Sequence, residues 1–177
     1  MDGDSLTIYK LMILYMLEYV DFPMTNSQLS EFFVSHSYTN YFQFQQAIEE
    51  LTASGFLHKE VIRNMTNYHA SPEGKEALAL FEKNIPTPFL EDIANYYEEN
   101  RHMLRREVEI TADYHPFQNG KRQEYMVETC IKEKGQPLME LTLNVVSVEQ
   151  ARLICDKWSQ KSDKVYAKIM EMLLLDE

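Results

Sequence analysis

Leu51-Thr52-Ala53-Ser54-Gly55-Phe56-Leu57-His58-Lys59-Glu60-Val61-Ile62 is the segment that decides how the first half of the chain folds. Leu51 completes a series with Phe44, Ala47 and Ile48, the 3-and-4 spacing of a helix that buries one face. Gly55 ends that helix, because glycine takes a left-handed backbone without steric penalty. Phe56 to Ile62 is a β-leaning run. Arg63-Asn64-Met65-Thr66-Asn67 then reads as a turn, and Tyr68-His69-Ala70 as the returning strand of a hairpin.

Working backward, Thr39 or Asn40 starts this third helix after the polar break 35–38. Thr25-Asn26-Ser27-Gln28 has the Thr-x-x-Gln form of a capping box and opens a second helix that buries Leu29, Phe32 and Phe33. A first helix carries Leu6, Tyr9, Met12, Ile13, Met16, Leu17 and Val20 as one buried stripe, stopped by Asp21-Phe22-Pro23. Working forward, Ser71-Pro72-Glu73 supplies a cap, a proline at the first helical position and a first-turn acid for a fourth helix through Ala77, Leu78 and Phe81.

Three helices, a hairpin and a closing helix resemble the winged helix-turn-helix of bacterial transcription regulators. The resemblance is carried by Leu51-x-x-x-Gly55-Phe56-Leu57 and by Tyr68-x-x-Ser71-Pro72-Glu73-Gly74-Lys75-x-x-Leu78, in which Ser71 stands where threonine is usual. Serine caps a helix by the same chemistry.

Asn84-Ile85-Pro86-Thr87-Pro88 marks a boundary, giving a first domain of residues 1–84 and a second of 85–177. A fifth helix runs to about Leu104, after which the period switches to two: Val108, Ile110, Ala112 and Tyr114 alternate with polar residues. Pro116 to Gly120 connects this strand to a second with Tyr125, Val127, Thr129 and Ile131, and Lys134-Gly135 leads to a third with Met139, Leu141, Leu143 and Val145. Ser147-Val148-Glu149-Gln150 opens closing helical sequence, in which Ala151, Ile154, Cys155 and Trp158 share a face; one helix or two remain open for 151–175. The expected class is α+β: an N-terminal winged helix-turn-helix, then a small domain of a three-stranded antiparallel sheet with helices.

Over nearly its whole length the chain is similar to a bacterial winged-helix family of uncharacterised function, domain of unknown function 4364. Phe81-x-x-x-Ile85-Pro86, Ala112-x-Tyr114 and Ala151-x-x-Ile154-Cys155-x-x-Trp158 carry that similarity. It implies a winged-helix half, an α+β half and a regulatory role, with no established ligand or target.

Composition narrows the function. Of 177 residues, 45% are hydrophobic and 25% charged, values of a globular protein. The acidic start and short apolar run at 11–17 predict a cytoplasmic protein without a membrane span. Cys130 and Cys155 lack metal or disulfide spacing, the five glycines form no phosphate-cradling loop, and the five histidines include no His-x-x-x-His pair. No catalytic residue, cofactor or metal is expected.

The resemblance makes double-stranded DNA the expected partner, with the third helix in the major groove and the hairpin beside it. Thr39, Asn40, Gln43, Gln45 and Gln46 are the candidate contacts from the helix, and Lys59, Arg63, Asn64, Asn67 and His69 from the hairpin. Amides suit adenine's N6 and N7 edge. Charge opposes this: the net is −11, residues 1–83 hold eleven acids and five bases, and no lysine or arginine lies between Ser35 and Ser54. The alternative is a protein-interaction module that does not bind DNA, with Tyr41 and Phe42 in an apolar contact patch. A homodimer is expected, its seam formed by the closing helices, and the second domain serves dimerisation or the sensing of a small-molecule effector. Trp158, Tyr96, Tyr97, Tyr114 and Tyr125 are aromatic candidates for an effector pocket there, or for core.

Overall fold

The computed structural model describes residues 2–62 and 65–174. Arg63 and Asn64, two of the expected hairpin contacts, lie outside the described residues. The elements are α1 (Asp2–Tyr19), β1 (Met24–Thr25), α2 (Asn26–Ser35), α3 (Tyr41–Ala53), β2 (Leu57–Ile62), β3 (Met65–Ala70) and α4 (Pro72–Phe81). A 3-10 turn at Glu82–Asn84 follows, then α5 (Thr87–Glu109), β4 (Ile110–Asn119), β5 (Arg122–Glu133), β6 (Gln136–Val145) and α6 (Val148–Leu174). Helices and two three-stranded antiparallel sheets make this a mixed α and β protein. No described helix is long and apolar enough to cross a membrane.

The chain divides into two compact units, Met1–Arg105 and Arg106–Glu177. The prolines at 86 and 88 do start a new helix, but the compact first unit runs on beyond the expected boundary after residue 84. Ile93, Tyr97 and Leu104 of α5 are buried, and the Tyr97 hydroxyl donates to the Met16 carbonyl at 3.0 Å. The Gln28 side-chain amide likewise donates to the Leu104 carbonyl at 2.9 Å.

In the first unit α1 is central. Leu11, Met12, Ile13 and Leu14 are buried in succession, because α3, α4 and β3 all pack on this helix; the expected single stripe is too narrow. Phe32 and Phe33 of α2 and Phe44, Ala47 and Ile48 of α3 complete the core. The Thr25 capping box forms: its hydroxyl accepts from the Gln28 N–H at 3.1 Å, and its own N–H donates to the Gln28 side chain at 2.9 Å.

The first sheet has the order β1-β3-β2. Its third strand starts at Met65, so Met65, Thr66 and Asn67, expected in the turn, pair with Ile62, Val61 and Glu60. At the other edge of β3 the two-residue β1 pairs Met24 with Tyr68 and Thr25 with Asn67, so Asn67 has strand partners on both sides while Met65 and Thr66 pair with β2. Ladder pairing with β2 satisfies the backbone of Met65 and Thr66 as strand rather than turn.

Ser71 locks the hairpin to α4. Its hydroxyl accepts from the Gly74 N–H at 2.9 Å, capping α4, and donates to the Gly55 carbonyl at 2.7 Å. The Ser71 N–H donates to the Phe56 carbonyl at 3.0 Å. A Cβ at position 74 would lie 2.2 Å from that same Phe56 oxygen, so only glycine lets α4 approach so closely.

In the second unit the sheet order is β4-β5-β6. Val108 is helical, within α5, and β4 continues through Pro116 to Asn119, where a connection was expected. Pro116 is tolerated there because β4 is an edge strand. The pairing gathers Ala112, Tyr114, Val127, Thr129, Leu141 and Leu143 on one face. The closing segment is one helix, α6, which buries Ala151, Trp158 and Ser162. The Trp158 indole donates to the Cys130 carbonyl at 3.2 Å, and Arg106 pairs with Asp163 at 3.0 Å.

Candidate nucleic-acid interface

The local chemistry of α3 sets what it presents outward. Asn40 caps the helix, its side-chain oxygen accepting from the Gln43 N–H at 3.0 Å. With Phe44, Ala47, Ile48 and Leu51 facing the core, the 3.6-residue turn leaves Tyr41, Phe42, Gln43, Gln46 and Glu49 exposed. Phe42 is 85% exposed and Tyr41 51%. Three expected helix contacts therefore lie on the outer surface, Asn40, Gln43 and Gln46, while Thr39 is half-buried.

Their polar groups are engaged within the chain. The Thr39 hydroxyl donates to the Gln43 side chain at 2.6 Å. Gln45, half-buried, donates to the Asn26 side chain at 3.1 Å. Gln46 donates to one carboxylate oxygen of Glu50 at 3.0 Å, and Lys10 of α1 pairs with the other at 3.0 Å. Those two bonds, the Gln46 amide's before the Lys10 ammonium's, hold the Glu50 carboxyl below its ordinary range.

On the hairpin, Lys59 and His69 are exposed, whereas Asn67 is buried. Asn67 is therefore removed from the set of surface contacts. It sits on the central strand between Thr25 and Glu60, and its side-chain oxygen has no hydrogen-bond partner among the described residues. Tyr68, on the same strand, is buried, and burial raises its phenol pKa, with the Tyr41 phenol and Glu49 carboxylate adding to the effect. The hairpin strand β2 packs beside α3.

Two features escape a reading of the sequence. His58 stands directly opposite His69, with ring centroids 5.2 Å apart, a pairing that only the register discloses. Val61, at 63% exposure, extends the apolar surface on the hairpin. Among the described residues of α3 and the hairpin, Lys59 is the one lysine or arginine, against Glu49, Glu50 and Glu60.

In the second unit, the Tyr114 and Tyr125 rings meet edge to face at 6.2 Å, and the Tyr114 hydroxyl accepts from Arg152 at 3.0 Å. Tyr96 and Tyr97 belong to the first unit, where Tyr97 is core.

No curated protein and no solved structure matches the chain. Residues 9–173, which span both units, match the family described as Domain of unknown function (DUF4364), and the chain belongs to that family.

Proposed function

We propose that the first unit is a winged helix-turn-helix and that the protein is a DNA-binding transcriptional regulator acting as a homodimer. One observation carries the reading: the outer face of α3, with Gln43 and Gln46, is left uncovered beside a two-stranded antiparallel hairpin bearing Lys59 and His69. A helix of 13 residues is about 20 Å long, and the roughly 12 Å width of the major groove admits it. The bonds of Gln43 and Gln46 are exposed side-chain pairs, weakened by competition with water, and a base edge can replace them. Dimerisation brings two such helices to half-sites one DNA turn apart and doubles the few phosphate contacts. Met172, Leu173 and Leu174, all exposed at the end of α6, are apolar area suited to that association. The second unit then serves dimerisation or effector sensing.

Phe42 favours a second reading, a protein-interaction module without DNA binding. A phenylalanine 85% exposed, flanked by Tyr41, is the kind of aromatic anchor on which protein interfaces rely.

Fluorescence anisotropy on labelled DNA from the protein's own upstream region, against an unrelated duplex and across salt, tests the two. Lys59 and Arg63 are the two lysines or arginines in the sequence of the hairpin, so a dimer neutralising four phosphates has a salt slope near −4, shallow for a repressor. Sequence-dependent binding with that slope, weakened by Arg63→Ala and altered in preference by Gln46→Ala, supports the regulator. Absence of binding at low salt refutes it and leaves the module, in which Phe42→Ala is the damaging change.

A further inference from the structure

A cavity of about 310 Å³ opens in the first unit between α1, the end of α3, α4 and the 3-10 turn. Leu11, Leu14, Leu51, Phe56, Ala77 and Phe81 make its walls apolar. Its volume lies at the lower end of the range for small-ligand sites, about 300–1,000 Å³. Its polar lining residues are Thr7, Lys10, Ser54 and Asn84, which carry donors, and Glu50, the one carboxylate among them. Lys10 has three N–H donors, and Glu50 takes one of them at 3.0 Å. The Lys10 side chain is 28% exposed, so its charge is partly shielded from water and interacts more strongly than a free surface lysine.

We infer that this cavity binds a small monocarboxylate with an apolar body, such as a medium-chain alkyl acid. The tail replaces water against the leucine and phenylalanine walls, and the carboxylate takes Lys10 from Glu50. A carboxylate frees Glu50, the more exposed partner at 40%, which water can solvate, whereas an amine would free Lys10, the less exposed partner, and an alcohol gains no charge-assisted bond.

The displacement reaches α3. Glu50 holds Gln46 through its other oxygen, so losing Lys10 leaves an uncompensated negative charge next to Gln46. DNA affinity then falls when ligand binds, and by reciprocity DNA weakens the ligand by the same factor. This coupling rests on the DNA-binding reading; the ligand site does not.

Isothermal titration calorimetry of the full chain tests the site, with decanoate and decylamine below their micellar concentrations and decanol below its solubility limit. Decanoate is expected to bind one per chain, at least tenfold more tightly than decanol or decylamine. Lys10→Gln brings decanoate down to decanol's affinity, and Ala77→Phe, which fills the cavity, abolishes both. Should Ala77→Phe not fold by circular dichroism, Ser54→Trp blocks the exposed rim instead. No decanoate binding, or binding that neither the filling variant nor Lys10→Gln changes, overturns the proposal. So does a dimer in sedimentation velocity that the filling variant dissolves, since a second copy would then be the occupant. Anisotropy with saturating decanoate is expected to show DNA affinity reduced about fivefold in the wild type and unchanged in Lys10→Gln. If no DNA binds at all, the function reading fails while calorimetry still decides the cavity.

Discussion

Gly74→Ala sets two physical effects against each other. Position 74 is the third residue of α4, and an alanine in a helix is favoured over glycine by about 1 kcal/mol. Opposing this, the new methyl would sit 2.2 Å from the Phe56 carbonyl oxygen and 3.1 Å from Leu14 Cδ2. To reach even a 3.0 Å contact, the start of α4 must retreat by roughly 0.8 Å in a close-packed interior. Phe56 and Gly55 supply the carbonyls that bind the Ser71 N–H and hydroxyl, so the retreat loosens the cap and the hairpin anchor together. Overpacking costs about 1–3 kcal/mol and a weakened cap about 1 kcal/mol, which exceeds the helix gain and leaves a net loss near 2 kcal/mol. In urea, with a slope near 2 kcal/mol/M, the far-UV circular dichroism midpoint falls by about 1 M. Gly55→Ala is the control: Gly55 has φ +75°, and an added methyl carbon there would meet nothing within 4 Å, so its penalty of about 1 kcal/mol is backbone strain alone. A Gly74→Ala midpoint at or above wild type would refute the close contact and the lock built on it.

Ser71→Ala removes the α4 cap and the donor to the Gly55 carbonyl from a fully buried position, and a loss of about 2 kcal/mol is expected in the same urea titration. Tyr97→Phe deletes the buried hydroxyl that donates to the Met16 carbonyl, lowering stability by about 1 kcal/mol with little change in packing. Asp21 is held below the ordinary carboxylate range, first by its bond with Arg105, with Arg105 and Arg101 charges assisting and desolvation opposing. Its contribution is thus present above about pH 4 and is lost as pH falls through its depressed value, so Asp21→Asn flattens thermal stability across that acidic window.

The local elements were legible because their signals are local. Thr25 with Gln28, Asn40 with Gln43, and Ser71 with Gly74 are contacts within three residues, and backbone geometry dictates them once the helix forms. The stripe on α3 likewise assigns Phe44 and Ile48 inward and Phe42 outward from period alone. The start of β3 was not legible: Met65 and Thr66 look like turn residues until the register sets them against Ile62 and Val61, and Asn67 also pairs with β1, about 40 positions away. Burial of Asn67 follows from that pairing, which is why it was expected on the surface. The hydrogen bond of Tyr97 to Met16, within the first unit, joins α5 to α1 and leaves no trace in spacing.

Sequence by itself thus determined the order of the helices and longer strands, the local caps and the inward face of α3, since these follow from neighbours along one chain. It also determined the acidity that any nucleic-acid reading has to overcome. Tertiary structure alone decided the register that sets His58 against His69, the Lys10–Glu50–Gln46 chain, and the cavity beside it. The last two arise where α1, α3 and α4 meet, and the distances between residues far apart in sequence are set only when all three helices pack at once.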